Sequence, residues 1–363
     1  MRFQRIRRDV DYVTEKKMSD GKRPRLSKFQ ADQQELKVRA AWHYFIEGLT
    51  QEQVAQQIGV SRLKALRLLA AARGDGTVQI SINREVDSII RLQRALEDHL
   101  NLAEAIVVPT SDQTEASVSA VVGHATGQYL SKELANGMSV GVGWGATLKV
   151  CMQTLVQQDI EKLTVVSLLG GLTHATADNP SAVAWRLADL YGTNLYQITA
   201  PIFVPEPGMA EALWQLKDFR QLSERARDVD IALLSVGNIS EEASIFRRGI
   251  LDFSEMMSLR KAGAVGDVLC HFVDADGQVV DHPVNRRVMA INPTMIQDVP
   301  KVIISSGGRS KARIIRAGVA TTNASVLITD ISAAEAILEL APIAKKAPSG
   351  RGSGTSKRTF TLT

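Results

Sequence analysis

The chain has 363 residues, of which 45% are hydrophobic and only 5% aromatic, a composition typical of an aliphatic α/β protein with room for two domains. Its two cysteines, Cys151 and Cys270, are too few for a disulfide scaffold or a zinc site, so no metal or cofactor is expected. No stretch approaches the roughly 20 apolar residues of a membrane span, which argues against membrane insertion and predicts a cytoplasmic protein.

The net charge of +4 is distributed unevenly along the chain. Residues 1–30 sum to +6 and residues 345–363 to +5, whereas residues 84–344 sum to −8. Phosphate repels an acidic body and attracts a basic arm, so this pattern favours a nucleic-acid partner near the N-terminus. We predict a disordered basic arm at 1–30, with a solubilising tail or a start at Met18 as alternatives.

Residues 50–73, TQEQVAQQIGVSRLKALRLLAAAR, have the pattern of a helix-turn-helix. Thr50 and Gln53 are spaced for a capping box at the start of the first helix. Gly59 suits the left-handed residue that ends this helix, and Ser61 suits the cap of the next one. The alternative is a solvated helical hairpin whose arginines contact only water.

The second helix of this motif is predicted to enter the major groove of DNA. We expect it to pack inward through Leu63, Leu66 and Leu69/Ala70. The face or edge that meets DNA should then comprise the remaining residues at its start: Ser61, Arg62, Lys64, Ala65 and Arg67.

Flanking segments extend this motif to a winged helix-turn-helix over residues 31–83. A supporting amphipathic helix is predicted before it, because apolar residues recur there at helical spacing: Val38, Ala41, Trp42, Phe45 and Ile46. After it, Val78, Ile80 and Ile82 alternate with polar residues and predict a strand, as in a wing.

Residues 84–344 are predicted to form a Rossmann-like, mostly parallel α/β domain, because short β-rich runs alternate with helical ones. An amphipathic run from Val86 to Leu100 is either a dimerising helix or the first helix of this domain. Residues 345–363 are predicted to be a disordered basic tail. The candidate strands are Ile106–Val108, Ser139–Val142, Leu163–Leu169, Leu195–Thr199, Asp230–Ser235, Val268–Val273, Val302–Ser305 and Val326–Thr329.

Three glycine-containing loops follow predicted strands, where an open parallel sheet binds its ligands. The first, Gly141–Thr147, has glycines that allow backbone N–H groups to face a ligand at a helix start. The second extends from Gly170 to Asn179 and carries polar side chains. The third places Lys311 in the first turn of a helix, where it opposes the helix dipole, so an acidic or polyhydroxy ligand explains it better than helix stability does.

The first loop also fits the dinucleotide-binding pattern G-x-G-x-x-A. That interpretation requires an acidic residue at the end of the next strand, to hold a ribose. The predicted strand Leu163–Leu169 is followed by Gly170-Gly171 instead, which disfavours a nicotinamide-dependent oxidoreductase. A purely structural glycine turn remains an alternative for this loop.

Four segments occur in an order that resembles the SorC family of bacterial sugar-sensing transcriptional regulators: LTQEQVAQQIGVSRLKALRLLAAARGDGTVQI, GVGWGATL, AVGDVLCHFVDADG and SGGRSKARIIRAG. The resemblance covers about residues 36–340. It implies a winged helix-turn-helix followed by an effector domain similar to sugar-phosphate isomerases and glucosamine-phosphate deaminases. It also implies a homodimer or homotetramer that binds operator DNA and responds to a sugar, polyol or sugar phosphate.

The resemblance also implies roles for individual residues of the effector domain. Thr147 would donate a hydrogen bond to the effector, Asp267 would accept from sugar hydroxyls, and Lys311 would bind the anionic or oxygen-rich end. The remaining candidate effector residues are Gly143, Trp144, Gly170, Asn179 and, through a more variable stretch, Arg248.

Two positions depart from family members that read phosphorylated sugars. Such members can carry an arginine and a threonine where this chain has Leu169 and Ala146. With one guanidinium and one hydroxyl fewer, a neutral polyol or free sugar is as good a candidate as a phosphosugar.

The sequence therefore predicts a sugar-responsive DNA-binding transcriptional regulator that controls a carbohydrate-catabolism operon. The alternative is an enzyme similar to sugar-phosphate isomerases or deaminases. An enzyme needs a base held against an acid or a metal, and no such set of side chains stands out at the three loops beyond Asp267.

Overall fold

The computed structural model describes residues 28–45, 47–75, 77–78, 84–156, 158–172 and 179–341. The chain divides into two compact units, Met1–Ile82 and Asn83–Thr363. Residues 1–27 of the predicted basic arm, the predicted wing strand beyond Val78 and the predicted tail lie outside the described residues, whereas residues 28–30 of the predicted arm are helical. Among the helices of the described ranges, none combines the length and the apolar character that a membrane crossing requires.

Three helices are described in the first unit: α1 (Lys28–Phe45), α2 (Gln51–Gln57) and α3 (Arg62–Gly74). Their predicted ends are confirmed by hydrogen bonds and backbone angles. At the start of α2, Thr50 Oγ1 accepts from the Gln53 N–H at 3.3 Å, and the Gln53 side chain accepts from the Thr50 N–H at 2.9 Å.

The turn between α2 and α3 also has the predicted form. Gly59 follows the last residues of α2 with a φ of +68°, a left-handed conformation that glycine adopts at little steric cost. Ser61 then caps α3, because its hydroxyl accepts from the Lys64 N–H at 3.3 Å. Local signals in the sequence were therefore enough to define the two helices and the turn.

The inward face of α3 is rotated from the predicted one, which corrects two expectations. Leu63 and Leu66, predicted to pack inward, are 61% and 43% exposed. Ala65, predicted to face DNA, is fully buried in a cluster with Ala40 of α1 and Val54 of α2. Small residues at these positions let the three helices approach closely, so the helices pack on Ala65 and it is not available to DNA.

The buried face of α1 also differs from the prediction, since Val38 and Trp42 are exposed. Lys37 lies on the buried side instead, and its ammonium group forms an ion pair with the carboxylate of Asp75, just after α3. This hydrogen bond from Lys37, together with those from Thr77, lowers the pKa of Asp75 to about 2. The ion pair ties α1 to the end of α3.

The described part of the second unit contains ten strands. They form a seven-stranded parallel sheet in the order β1-β10-β9-β5-β2-β3-β4 and a three-stranded antiparallel sheet in the order β6-β7-β8. The strands are β1 (Glu104–Val108), β2 (Ser139–Val142), β3 (Thr164–Ser167), β4 (Asn194–Tyr196), β5 (Ile231–Leu234), β6 (Val236–Asn238), β7 (Gly266–Val268), β8 (His271–Val273), β9 (Lys301–Ser305) and β10 (Val326–Asp330).

Helices cover both faces of the parallel sheet. Strand residues alternate between two buried clusters: Leu233 packs with the cluster that contains α5, α6 and α7, and Leu234 packs with the one that contains α4, α9, α12 and α13. The predicted Rossmann-like, mostly parallel α/β architecture is therefore confirmed. The helices are α4 (Arg84–Leu100), α5 (Glu115–Glu133), α6 (Ala146–Thr154), α7 (Pro180–Leu190), α8 (Pro207–Trp214), α9 (Lys217–Arg227), α10 (Ser244–Arg247), α11 (Phe253–Lys261), α12 (Ala312–Thr322) and α13 (Ile331–Leu338).

The segment predicted as a single strand, Val268–Val273, is instead a tight hairpin between β7 and β8. The two residues at its turn, Leu269 and Cys270, both have left-handed backbones, with φ of 50° and 61°. Hairpin turns of this kind usually contain Asn, Asp or Gly, so the apolar residues concealed the turn. Left-handed side-chain-bearing residues are strained, and such strain tends to occur at ligand sites.

Candidate functional site

A cleft opens at the carboxyl edge of the parallel sheet, where the strand order reverses between β2 and β5. The cavity volume is about 60 Å³, and the empty space rises to about 640 Å³ when the open solvent at the mouth of the cleft is included. Its walls come from the segments that follow β1, β2, β5 and β9 and from the β7–β8 hairpin. The residues that define this main cleft are Glu115, Trp144, Thr147, Ser235, Asp267 and Lys311.

Asp267 is the buried acid of the main cleft. It lies in the middle of β7, and its carboxylate accepts a hydrogen bond from the Cys270 N–H at 3.0 Å. Burial raises the pKa of Asp267 to about 7, although this hydrogen bond and the charge of Lys311 act in the opposite direction. The strained hairpin turn thus holds a carboxyl group that keeps its proton to a higher pH than an ordinary aspartic acid does.

Gly237 makes room for the Asp267 carboxyl group. The two residues are opposite each other in the antiparallel pair of β6 and β7. A Cβ atom at position 237 would lie 2.2 Å from Asp267 Oδ1, which is too close for any non-bonded contact. Only glycine at this position lets the carboxyl group keep its place.

Lys311 is the cation of the main cleft, and it already has a partner. Its Nζ donates a hydrogen bond to Glu115 Oε1 at 3.2 Å. The lysine side chain is only 14% exposed. Its position depends on the glycine turn before it, which Asp330 fixes by accepting from the Gly308 N–H at 2.6 Å.

Thr147 and Trp144 reach the main cleft from the loop between β2 and α6. Thr147 is buried in the first turn of α6, and Gly145 precedes this helix with a φ of +142°. Gly143 has a backbone role in the same loop, because its N–H donates to the Leu233 carbonyl oxygen at 2.8 Å. The predicted loop therefore contributes Trp144 and Thr147 to the cleft, while Gly143 lies behind it.

Arg248 is placed in a second cleft, which shares Trp144, Gly145, Ala146 and Ser244 with the main cleft. We call it the basic cleft, because its charged lining residues are Lys149, Arg247 and Arg248. Arg248 therefore does not line the main cleft together with Asp267 and Lys311.

Gly170 and Asn179 do not line the main cleft in the described part of the chain. A Cβ atom at position 170 would lie 2.4 Å from the Ala200 carbonyl oxygen, so Gly170 is required for backbone packing. The Asn179 side chain caps α7 by accepting from the Ser181 N–H at 3.2 Å, and it also bonds both backbone groups of Leu172. Their observed contacts are structural.

Several residues of the main cleft were not identified from the sequence. Glu115 and Ser235 lie after β1 and β5, whose loops lack the glycine clusters that marked the three predicted ligand loops. Position after a strand was the signal that could have found them, since parallel strands present all their carboxyl ends at one edge. Gly237 and Cys270 required knowledge of the β6-β7-β8 sheet.

The exposed face of α3 is the second candidate functional surface. Arg62, Lys64 and Arg67 are exposed on it, together with Leu63 and Leu66. Arg62 Nε lies 3.6 Å from Glu52 Oε2, in an ion pair between two well-exposed side chains. The face thus presents three cations with apolar side chains between them, in the arrangement that a DNA major groove accepts.

Comparisons with known proteins agree with this architecture. A family model described as "Putative sugar-binding domain" matches residues 84–339. The erythritol catabolism regulatory protein EryD of Brucella abortus is 30% identical over 305 residues, which cover 84% of this chain and 96% of that protein. The transcriptional regulator LsrR of Klebsiella pneumoniae is 28% identical over 313 residues, covering 85% and 94%.

Solved structures share the fold. The full-length sorbitol operon regulator SorC from Klebsiella pneumoniae superposes with a TM-score of 0.64 at 22% identity, covering 85% of this chain and 99% of that one. The named relatives are transcriptional regulators, which decides against the isomerase or deaminase alternative. Because the family model spans most of the chain and a full-length relative reaches 30% identity, the chain belongs to the SorC family of sugar-binding bacterial transcriptional regulators.

Proposed function

We propose that this regulator binds its operator through α3 and leaves it, or rearranges on it, when a sugar or polyol occupies the main cleft. The observation that carries the proposal is the convergence of Thr147, Asp267 and Lys311 on one cleft of a sugar-binding domain. These residues are far apart in the sequence, and they meet at the edge where α/β sheets bind ligands.

The chemistry of the main cleft suits a polyhydroxy ligand. The Asp267 carboxyl group can accept from two adjacent hydroxyls, and the Thr147 hydroxyl can donate to a third. The indole of Trp144 offers an apolar surface to the C–H groups of the same molecule. A few oriented polar groups on a partly apolar wall are what small-molecule sites generally contain.

The chemistry of α3 suits operator DNA. Arginine and lysine side chains pair with guanine edges or phosphates, and apolar side chains such as Leu63 and Leu66 can contact thymine methyl groups. Helix-turn-helix proteins read two half-sites as symmetric oligomers, so we infer a homodimer or homotetramer in the cytoplasm. The EryD relative points to a carbohydrate-catabolism operon as the target of control.

The test uses a duplex that the purified protein selects from a random-sequence pool. A thermal-shift screen with erythritol, sorbitol, deoxyribose and their phosphates then identifies a compound that raises the melting temperature. That compound should release the duplex from the wild-type protein. Asp267→Asn should bind the duplex normally but fail to release it, because an amide offers only one acceptor oxygen.

The operator side of the proposal has its own matched variants. Arg62→Ala and Lys64→Ala should each weaken duplex binding by roughly 1–3 kcal/mol if the side chain reads a base. Arg39→Ala is the control, since it removes an exposed cation from α1 in the same unit. Unchanged duplex affinity in the double variant would remove α3 from the interface, and normal release of Asp267→Asn would remove the main cleft.

A further inference from the structure

The main cleft contains more acid than base. Among the described residues, four titratable side chains line it: Glu115, Asp267, Lys311 and the thiol of Cys270. Burial raises the pKa of Cys270 well above its ordinary value, so the thiol is uncharged at neutral pH. The cleft therefore sets one ammonium group against two carboxyl groups.

The ammonium group of Lys311 already has a negatively charged partner, Glu115. It donates to Glu115 Oε1 at 3.2 Å, and only 14% of the lysine side chain is exposed. A phosphate that approached Lys311 would have to displace the Glu115 carboxylate or lie against it, in a cleft that Asp267 also lines. Like charges repel across such a cleft, and solvent screens this repulsion less at the buried Asp267 than at Glu115, whose side chain is 47% exposed.

On the basis of the proposed effector role of this cleft, we infer that Glu115 selects an uncharged polyol or sugar as effector and excludes its phosphate. Glu115 does so by occupying Lys311, which leaves the lysine able to donate to a hydroxyl but without the net charge to hold a dianion. Lys311 then serves as a hydrogen-bond donor to the ligand, whereas the family resemblance had suggested an anion-binding cation.

The first turn of α6 acts in the opposite direction, since helix N-termini attract anions. Its effect is equivalent to roughly +0.5 elementary charge, which is less than the full negative charge of one carboxylate. Leu169 also lines the cleft, at a position where an arginine would have added a second cation. The exclusion of a phosphate therefore depends on the Glu115 carboxylate that occupies Lys311, because the raised pKa of Asp267 weakens the repulsion from that group.

Glu115 also has a structural role at the start of α5, which is distinct from selectivity. It is the first residue of α5, where a carboxylate stabilises the helix dipole. Asp218→Asn is a matched control, because Asp218 occupies the first turn of α9 and does not line the main cleft. A helix-stability effect should appear in both variants, and an effect on selectivity only in Glu115→Gln.

The experiment compares matched pairs of compounds on the full-length protein by calorimetry: erythritol with erythritol 4-phosphate, and sorbitol with sorbitol 6-phosphate. The wild-type protein and Asp218→Asn should bind at least one polyol more tightly than its phosphate, by about tenfold or more. Glu115→Gln should reduce this preference by about tenfold, because the carboxylate that opposes the phosphate is gone.

Failure of this inference is distinguishable from failure of the effector site itself. A wild-type protein that prefers the phosphate, with binding lost in Asp267→Asn, overturns the role of Glu115 but keeps the effector site. A phosphate preference that depends on Arg248 instead would place the anion in the basic cleft and also overturn it. Binding unaffected by Asp267→Asn, or no binding of any compound, overturns both proposals.

Discussion

The exposed face of α3 and the main cleft have opposite charges. The helix presents Arg62, Lys64 and Arg67 to solvent, with Glu52 paired to Arg62, whereas the described lining of the cleft holds one lysine and two carboxyl groups. Exposed cations attract the phosphates of DNA at long range, and partly buried carboxyl groups accept from hydroxyls and repel phosphates. The two proposals follow this difference, since a polyanion is expected at the exposed cations of α3 and a polyhydroxy ligand at the acids of the main cleft.

The largest effect should come from removing the space that the buried acid needs. Gly237→Ala places a Cβ atom 2.2 Å from Asp267 Oδ1, so the carboxyl group must leave its position. We expect effector affinity to fall by about a hundredfold or more, which corresponds to about 3 kcal/mol. Operator binding should be retained, because the substitution leaves the first unit unchanged.

The control for this variant is Gly208→Ala, at the start of α8. A Cβ atom there meets no heavy atom within 4 Å, so effector affinity should be unchanged. Calorimetric titration of the three proteins with the compound found by thermal shift gives the comparison. Equal affinities in Gly237→Ala and wild type would mean that the Asp267 carboxyl group does not contact the effector.

The pH dependence of the free energy of unfolding tests the burial of Asp267 in the main cleft and of His271 near it in the sequence. Burial raises the pKa of Asp267 to about 7 from 3.8, and burial lowers the pKa of His271, four residues on, to about 4 from 6.5. Between about pH 4 and 6.5 the folded protein keeps a proton on Asp267 that the unfolded chain loses, so this stability contribution falls as pH rises. His271 binds its proton only in the unfolded chain there, so its contribution rises with pH.

The pH-dependent contributions of Asp267 and His271 to the free energy of unfolding have opposite signs and offset each other in the wild-type protein. Each should become visible when the other residue is replaced. Relative to wild type, the free energy of unfolding of Asp267→Asn should increase from about pH 4.5 to 6.5. That of His271→Asn should decrease over the same range. Each change should be on the order of 3 kcal/mol over the window. Urea unfolding at several pH values measures it, and slopes of the same sign in the two variants would show that the carboxyl group or the imidazole is not buried as described.

A third prediction tests which side of α3 faces DNA. Ala65→Leu adds volume next to Ala40 and Val54 and should destabilise the first unit by about 1–3 kcal/mol. Ala70→Leu, on the exposed side of the same helix, is the control. Thermal unfolding of the full chain should show the loss for Ala65→Leu alone. If Ala65 instead faced DNA, operator affinity would change while unfolding stayed the same.

The sequence was most informative where structure depends on close neighbours in the chain. The capping box of Thr50, the left-handed Gly59 and the cap at Ser61 each involve groups only a few residues apart, and all three form as predicted. The strand Ser139–Val142 was likewise predicted with its observed ends, because a glycine loop and a helix follow it directly.

Features that depend on distant pairing were not predictable in the same way. Leu63 and Leu66 look like core residues, and only the packing of α1 and α2 on Ala65 reveals that they are exposed. The main cleft depends on Glu115, in a different loop, and on Gly237, which lies opposite Asp267 only because β6 pairs with β7. Long-range pairing leaves no local periodic signal, so a single sequence does not identify these residues.

The smallest effect should come from Glu52, the acid that pairs with Arg62 on the cationic face of α3. Glu52 Oε2 lies 3.6 Å from Arg62 Nε, and both side chains are more than 60% exposed, so the ion pair contributes at most about 1 kcal/mol. Glu52→Gln frees Arg62 and removes a negative charge close to the DNA phosphates. We expect duplex affinity to rise by less than about tenfold, and most at low salt, where charges are least screened.

The matched control is Glu35→Gln, which removes an exposed carboxylate from α1. Filter binding at two salt concentrations separates the variants, since a change in charge near phosphates alters the salt dependence and a distant one does not. A weaker duplex complex in Glu52→Gln would reverse the interpretation. Glu52 would then act by holding Arg62 in the orientation that meets a base, and the acid beside α3 would position the cation as Glu115 positions Lys311 in the main cleft.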